Sequence, residues 1–112
     1  MQLINQSQNT VLADQVEIAN SLPSRLLGLI GRQNLAQEKC LWIQKCNSIH
    51  TFFMNFQIDV VFLDREMKVV SIHRSVRPWR MTFPLWQAHS VMEFAARETL
   101  AVNIGDLLYV GH

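Results

Sequence analysis

The chain has 112 residues, 49% of them hydrophobic, and a formal net charge of +1. A chain of this length buries about two thirds of its unfolded surface and needs no disulfide or structural metal to fold. We therefore expect a single domain over residues 1–112 and exclude disorder. The small net charge creates no field that would gather nucleic acid or an anionic membrane, so we predict neither as a partner.

The start of the chain and its cysteines predict a cytoplasmic protein with reduced thiols. Residues 1–9 have neither the basic start nor the apolar stretch of a signal peptide, and no later segment has the apolar length of a membrane span. Cys40 and Cys46 have five residues between them, a spacing that suits neither a zinc knuckle nor a redox pair. We expect no metal and no cofactor. The alternative is a metal site formed by Cys46 and His50.

The first half of the chain predicts strands around one short helix. Hydrophobic and polar residues alternate in residues 11–18, as in a strand or hairpin, with an interruption near Asp14. Residues 21–24, Ser-Leu-Pro-Ser, are typical of a helix start, and the leucines that follow at helical spacing predict a helix over residues 22–30. Residues 41–43 predict a brief strand.

The second half predicts a hairpin, a long connection and a second short helix. A β-prone segment begins at residue 50 and bends around residues 55–57. The elements that follow it are a turn at 64–68 before a strand at 69–74, a connection at 75–89, a strand at 90–94, a helix at 95–102, a turn at 105–106 and a strand at 107–110. Many short strands with regular turn signals favour a mainly β fold, a small antiparallel β-sandwich or barrel with two short helices.

Four motifs resemble the signature of a known bacterial and archaeal family, domain of unknown function 192. The longest joins Ser-Ile-His-Thr-Phe-Phe-Met at residues 48–54 to Phe-Gln-Ile-Asp-Val-Val-Phe-Leu-Asp at residues 56–64. The other three are, in chain order, Arg-Leu-Leu-Gly-Leu-Ile-Gly-Arg at 25–32, Val-Met-Glu-Phe at 91–94 and Ile-Gly-Asp at 104–106.

The resemblance extends from about residue 12 to residue 110 and implies a jelly-roll-like β-sandwich. The family has no established activity, so the resemblance implies little about chemistry. The chain departs from the family pattern at Ile30, where Met is usual, and at Gln57, where Pro is usual. It departs again at Met67, where a turn Gly is usual, and at Arg97, where Gly is usual. We expect the last two loops to differ in shape from those of relatives.

Three polar residues, His50, Asp59 and Glu93, lie inside hydrophobic, β-prone segments, where each needs a hydrogen-bonding partner or a role. On a straight strand His50 points with the core side chains, whereas Thr51 and Asp59 line the opposite face. In a structural interpretation these groups bond to the backbone or to Arg25 on the first helix. In a functional one they contact a ligand, or Asp59 and Glu93 act as general acid and base.

The connection over residues 74–86 interleaves cations with aromatic residues and can stack on a small polar ligand or a peptide. In the structural interpretation, which we favour for this connection, its aromatics cover the edge of the sandwich while the arginines stay solvated. We predict a non-catalytic binding or accessory module; the alternatives are a small hydrolase-like enzyme with an Asp/Glu/His cluster, and a structural or subunit-interface protein. The candidate ligand-binding residues are His50, Thr51, Asp59, Glu93, Trp79 and Trp86, and the predicted structural polar residues are Arg25 and Asp106.

Overall fold

The computed structural model of the protein describes residues 1–19, 38–51, 55–97 and 100–111. These ranges form two open sheets. The three-stranded sheet has the order β2-β1-β8, and the five-stranded sheet has the order β3-β4-β7-β5-β6. The strands are β1 (Gln2–Asn5), β2 (Thr10–Ala13), β3 (Gln15–Ala19), β4 (Lys39–Gln44), β5 (Ile58–Leu63), β6 (Val69–Val76), β7 (Ser90–Ala95) and β8 (Leu108–Gly111).

The mainly β prediction is confirmed, but the barrel and the purely antiparallel arrangement are wrong. Both sheets are open, and β3 runs parallel to β4. The chain leaves the three-stranded sheet at Ala13 and enters the five-stranded sheet at Gln15, so the interruption predicted near Asp14 is a change of sheet. A parallel neighbour requires a connection of about a dozen residues or more, and residues 20–38 supply that length.

The prediction of two short helices is not confirmed. The second, at residues 95–102, is wrong wherever those residues are described, because Ala95 ends β7 and residues 96, 97 and 100–102 are irregular. The Ala96 amide donates to the Gln57 carbonyl (3.1 Å), which extends the pairing between β5 and β7 by one residue. An amide engaged in this pairing is not available for a hydrogen bond within a helix. The first helix, at residues 22–30, and Arg25 lie outside the described residues.

The predicted hairpin between β5 and β6 is confirmed, and its turn is held by a carboxylate. Oδ1 of Asp64 accepts the backbone amides of Glu66 and Lys68, each at 2.9 Å. Met67 takes a left-handed conformation with φ of 65°. Glycine favours this region, which is consistent with the turn Gly that the family pattern implies at this position.

The predicted turn at residues 105–106 is also confirmed, and Asp106 ties it to the end of β1. Oδ2 of Asp106 accepts hydrogen bonds of 2.8 Å from the Asn5 side chain, the Gln8 side chain and the Asn103 amide. The hydrogen bond from Asn5 is the main cause that lowers the pKa of the Asp106 carboxyl. The buried Asn5 thus links the first and last strands of the smaller sheet.

The centre of the five-stranded sheet, formed by β5 and β7, is buried on both faces. Its inner face packs on the smaller sheet through a cluster that includes Val61, Leu63, Met92 and Phe94. Its outer face carries a second cluster, with Val60, Phe62 and Val91 at its centre, that is covered by side chains of the connections. The whole of β5 is therefore buried, as its unbroken apolar sequence requires. The cover of the outer face contains the candidate site.

Candidate functional site

The sheet register places the two embedded carboxylates on opposite faces. Asp59 pairs with Phe94, and the next pair joins Val60 to Glu93. Because side chains alternate between the faces of a strand, Asp59 lies with Phe94 on the inner face and Glu93 lies with Val60 on the outer face. The structure does not bring Asp59 and Glu93 together, so they cannot act as acid and base on one substrate.

Asp59 is fully buried and accepts hydrogen bonds from backbone amides with both oxygens. Oδ1 accepts the Ser75 amide at 2.8 Å, and Oδ2 accepts the Arg97 amide at 3.1 Å. One carboxylate therefore fixes both the end of β6 and the segment that follows β7.

Around residue 50 the structure reverses the predicted orientation. His50 is exposed and pairs through a single bridge with Met81, whereas Thr51 is fully buried. The orientation predicted for a straight strand is therefore wrong at these two residues. The bend predicted around residues 55–57 is confirmed, since Asn55 and Phe56 form a bend before β5 begins at Ile58.

Two connections pair with each other over the outer face of the larger sheet. Residues 46–51 run beside residues 79–89 and are joined by backbone hydrogen bonds of 2.7–3.0 Å. The bonded pairs are Cys46 with His89, Asn47 with Leu85, Ile49 with Thr82, and Thr51 with both Trp79 and Arg80. We call residues 77–89 the aromatic loop, whose backbone these bonds hold in place.

Thr51 shapes the tip of the aromatic loop. Its hydroxyl donates to the Arg77 carbonyl (2.6 Å) and accepts the Arg80 amide (2.8 Å), so it bridges the first and last residues of a four-residue turn. Pro78 is the second residue of that turn, and Trp79, the third, has a φ of 64°. This pattern is that of a type II turn, whose third position favours glycine. A tryptophan there costs about 1–2 kcal/mol in backbone strain.

The aromatic loop presents large apolar side chains to solvent. Trp79 is 57% exposed, Met81 68%, Phe83 92% and Trp86 90%. Leu85 and Ala88 of the same loop instead pack against the outer cluster, so the loop has an anchored side and an exposed side. The structural interpretation, in which the aromatics cover the sandwich edge, is therefore wrong for Trp86.

Two open depressions meet at the base of this loop, where both are lined by Ala88 and His89. The larger, of about 440 Å³, extends over residues 45–48. The smaller, of about 250 Å³, extends over residues 64–66 and is lined by Trp86. Their walls are mostly polar, and we call the two depressions together the groove; Trp86 is the exposed aromatic that lines it.

Sequence reasoning selected Trp79 and Trp86 but missed Met81 and Phe83, as well as the role of Thr51. The alternation of apolar residues at 79, 81 and 83 was present in the sequence but does not say which side faces solvent. Pro78 signals a turn at this point, but proline at the second position suits both type I and type II turns, so it does not indicate the left-handed conformation of Trp79.

The two cysteines are thiols in different environments. Burial raises the pKa of the Cys40 thiol to about 12, and the thiol lies 4.0 Å from the sulfur of Met92. Cys46 is half-buried in the wall of the larger depression, where its thiol donates to the Ser48 carbonyl (2.9 Å). Within the described ranges no three His, Cys, Asp or Glu side chains are grouped to hold a metal ion.

We expect a disulfide reagent to modify one thiol per folded chain at neutral pH and the second only after denaturation. Cys40 is buried and its raised pKa leaves almost no thiolate, which is the reactive form. Titration with Ellman's reagent, with and without denaturant, measures this. The variant Cys46→Ser should show no fast reaction, and equal reaction rates for both thiols would contradict the prediction.

The protein is a small β-protein of two sheets. One hydrophobic core lies between the sheets, and a second lies under the paired connections. The chain belongs to the family DUF192, described as an uncharacterised ACR, which it matches over residues 3–109. The resemblance found in the sequence motifs is thereby confirmed.

Curated relatives cover nearly the whole chain. The chain is 34% identical to the UPF0127 protein of Pyrococcus horikoshii over 109 residues, which is 93% of this chain and 94% of the relative. It is also 34% identical to the UPF0127 protein of Pyrococcus abyssi over 111 residues, with 93% and 92% covered. These relatives are archaeal.

The fold is similar to that of a solved structure from Novosphingobium aromaticivorans, a protein of unknown function. The TM-score is 0.82 at 18% identity, and the match covers 97% of this chain and 82% of the other. At this identity the likeness concerns the fold alone. In the part of the chain that the structure describes, no helix has the length and apolarity needed to cross a membrane.

Proposed function

We propose that this protein is a non-catalytic binding module whose aromatic loop docks an extended segment of a partner protein. The observation that carries the proposal is the exposure of Trp79, Met81, Phe83 and Trp86 on one loop whose backbone is fixed by hydrogen bonds to residues 46–51. Exposed apolar patches on soluble proteins commonly mark interaction sites, and tryptophan is enriched among the residues that dominate binding energy.

The shape of the site favours a peptide over a small molecule. Small-molecule sites are concave, largely apolar and bury most of the ligand. The groove at the base of the loop is open and polar, lined by residues such as Lys45, Asn47, Ser48 and His89, while the apolar groups project outward. An extended peptide can place polar backbone in such a groove and apolar side chains against the projecting rings.

Rigidity of the loop supports the same proposal. A partner that docks on a preformed surface loses less binding energy to the ordering of loops and side chains. Thr51 sets the turn from inside the protein, and Trp79 stays in a strained conformation with its ring largely exposed.

The embedded acids support a structural role rather than catalysis. Asp59 and Glu93 lie on opposite faces of the sheet, and the oxygens of Asp59 are engaged by backbone amides. A hydrolase built on those two carboxylates would need both at one scissile bond.

The variant Trp79→Gly should lose binding without losing stability. Relief of about 1–2 kcal/mol of backbone strain offsets the extra backbone entropy of glycine, about 0.5–1 kcal/mol, so the free energy of unfolding should stay within about 1 kcal/mol of the parent. The probe is a random peptide library displayed on phage. Selection on the parent protein should enrich peptides that bind at the loop, and these peptides should not bind detectably to Trp79→Gly.

A matched control is Tyr109→Ala, since Tyr109 is a half-exposed aromatic on β8 of the other sheet. Peptides selected on the parent should bind this control unchanged. Peptides that bind Trp79→Gly as well as they bind the parent would overturn the proposal. A concentration-dependent dimer that Trp86→Ala dissolves would instead identify a second copy of the chain as the occupant.

A further inference from the structure

We propose that the segment that docks on the aromatic loop is acidic. This inference rests on the proposed function and names the chemistry of its partner. It comes from a charge asymmetry that the net charge of +1 conceals. Residues 39–58 and 67–92 contain six of the ten Lys and Arg residues and none of the nine Asp and Glu residues.

These two stretches supply both of the paired connections, and hence the aromatic loop and the walls of the larger depression. Arg77 and Arg80 are exposed and bracket Trp79 in the turn, and Lys45 is exposed at the edge of the larger depression. Arg74 has a different role, because its guanidinium donates to the carbonyls of Leu100 and Val102. The cations available to a ligand thus lie where the aromatic side chains are exposed.

Two carboxylates lie in the wall of the groove itself. Asp64 and Glu66 line the smaller depression beside Trp86. Asp64 is engaged by the amides of Glu66 and Lys68, so its charge is partly compensated by the turn it holds. The surface is therefore basic around Trp79 and mixed around Trp86, and an acidic residue of the ligand is best placed near Arg77 and Arg80.

A short acidic peptide fits this charge pattern better than either a nucleic acid or a second copy. Outside the two stretches the chain has nine acidic residues against four Lys and Arg, which would repel a long polyphosphate that extends past the loop. A symmetric dimer through this face would bring the same arginines of two copies together, since a two-fold interface apposes identical patches. An acidic segment pairs with the arginines while its apolar residues contact the rings.

Phage selection on the parent protein should enrich peptides that carry both acidic and apolar residues. A synthetic peptide from that selection should bind on the order of tenfold more weakly to Arg77→Gln/Arg80→Gln, and its affinity for the parent should fall as salt is raised. The control Lys39→Gln changes an exposed cation at the far end of β4 from Lys45 and should bind like the parent. Fluorescence anisotropy measures both, and a single-stranded oligonucleotide serves as the competing probe.

The outcomes separate the two claims. Enriched peptides that are neutral or basic, but still require Trp79, would overturn the acidic preference and leave the binding module standing. Enrichment that does not depend on Trp79, or no enrichment, would overturn the proposed function and this inference with it. Tighter binding of the oligonucleotide than of any selected peptide would replace the acidic segment with a nucleic acid.

Discussion

Asp59→Asn is expected to lower the free energy of unfolding by about 1–3 kcal/mol. The reason is that Asp59 accepts two backbone hydrogen bonds with different oxygens. The Ser75 amide donates to Oδ1, and the Arg97 amide donates to Oδ2. An asparagine offers one oxygen and one amino group. Its amino group would face an amide donor in a fully buried position, which leaves one donor unsatisfied.

Asp64→Asn is the matched control for this effect. The two amides that Asp64 accepts, from Glu66 and Lys68, both go to Oδ1, so the single carbonyl oxygen of asparagine can accept both. Asp64 is also half-buried rather than enclosed, so water can solvate the new amino group. Denaturant unfolding should show a clear loss for Asp59→Asn and a small one for Asp64→Asn. If Asp59→Asn were as stable as the parent, Asp59 would become a candidate for ligand binding.

Thr51→Val is the second large effect that we expect, at about 1–3 kcal/mol of lost stability. The substitution keeps the shape of the side chain and removes the hydroxyl that joins the Arg77 carbonyl to the Arg80 amide. Thr51 is fully buried, so water does not readily replace the hydroxyl. The turn should loosen, and selected peptides should bind more weakly even though no exposed aromatic has been changed.

Thr51→Ser separates the hydroxyl from the methyl group. Serine keeps both hydrogen bonds and should retain peptide affinity, with a smaller loss of stability from the missing methyl. Equal affinity of Thr51→Val and the parent would show that the turn does not depend on the hydroxyl. Affinity and stability are measured separately. A loss of stability with unchanged affinity indicates a structural role of Thr51, whereas a loss of affinity as well indicates that Thr51 positions Trp79.

The sequence by itself determined most of the strands, the hairpin and the family, but it did not predict β1. The strands near residues 41–43, 60–63, 69–74, 90–94 and 107–110 follow from local apolar runs bounded by turn residues, and the structure has a strand at each. The turn at Asp64 followed from its residue types, and the motifs around residues 48–64 identified the family. These features depend on local propensity and pattern, which the amino-acid sequence carries directly.

Only the tertiary structure decided which residues meet. The separation of Asp59 from Glu93 depends on the register between β5 and β7, where a shift by one residue would move each side chain to the other face. The reversal of His50 and Thr51 depends on pairing with a loop about thirty residues away in the sequence. The strand order, with β3 parallel to β4, likewise comes from a long-range pairing.

The same limit applies to the aromatic loop. Its amino-acid composition is compatible with a loop that covers the sheet and with a loop that is exposed to solvent. The order of apolar and polar residues along the loop does not distinguish the two. The outcome was decided by Leu85 and Ala88, which take the places over the outer cluster and leave Phe83 and Trp86 in solvent. Burial is a property of the whole packing arrangement, so it is fixed only when every segment that competes for the same apolar surface is in place.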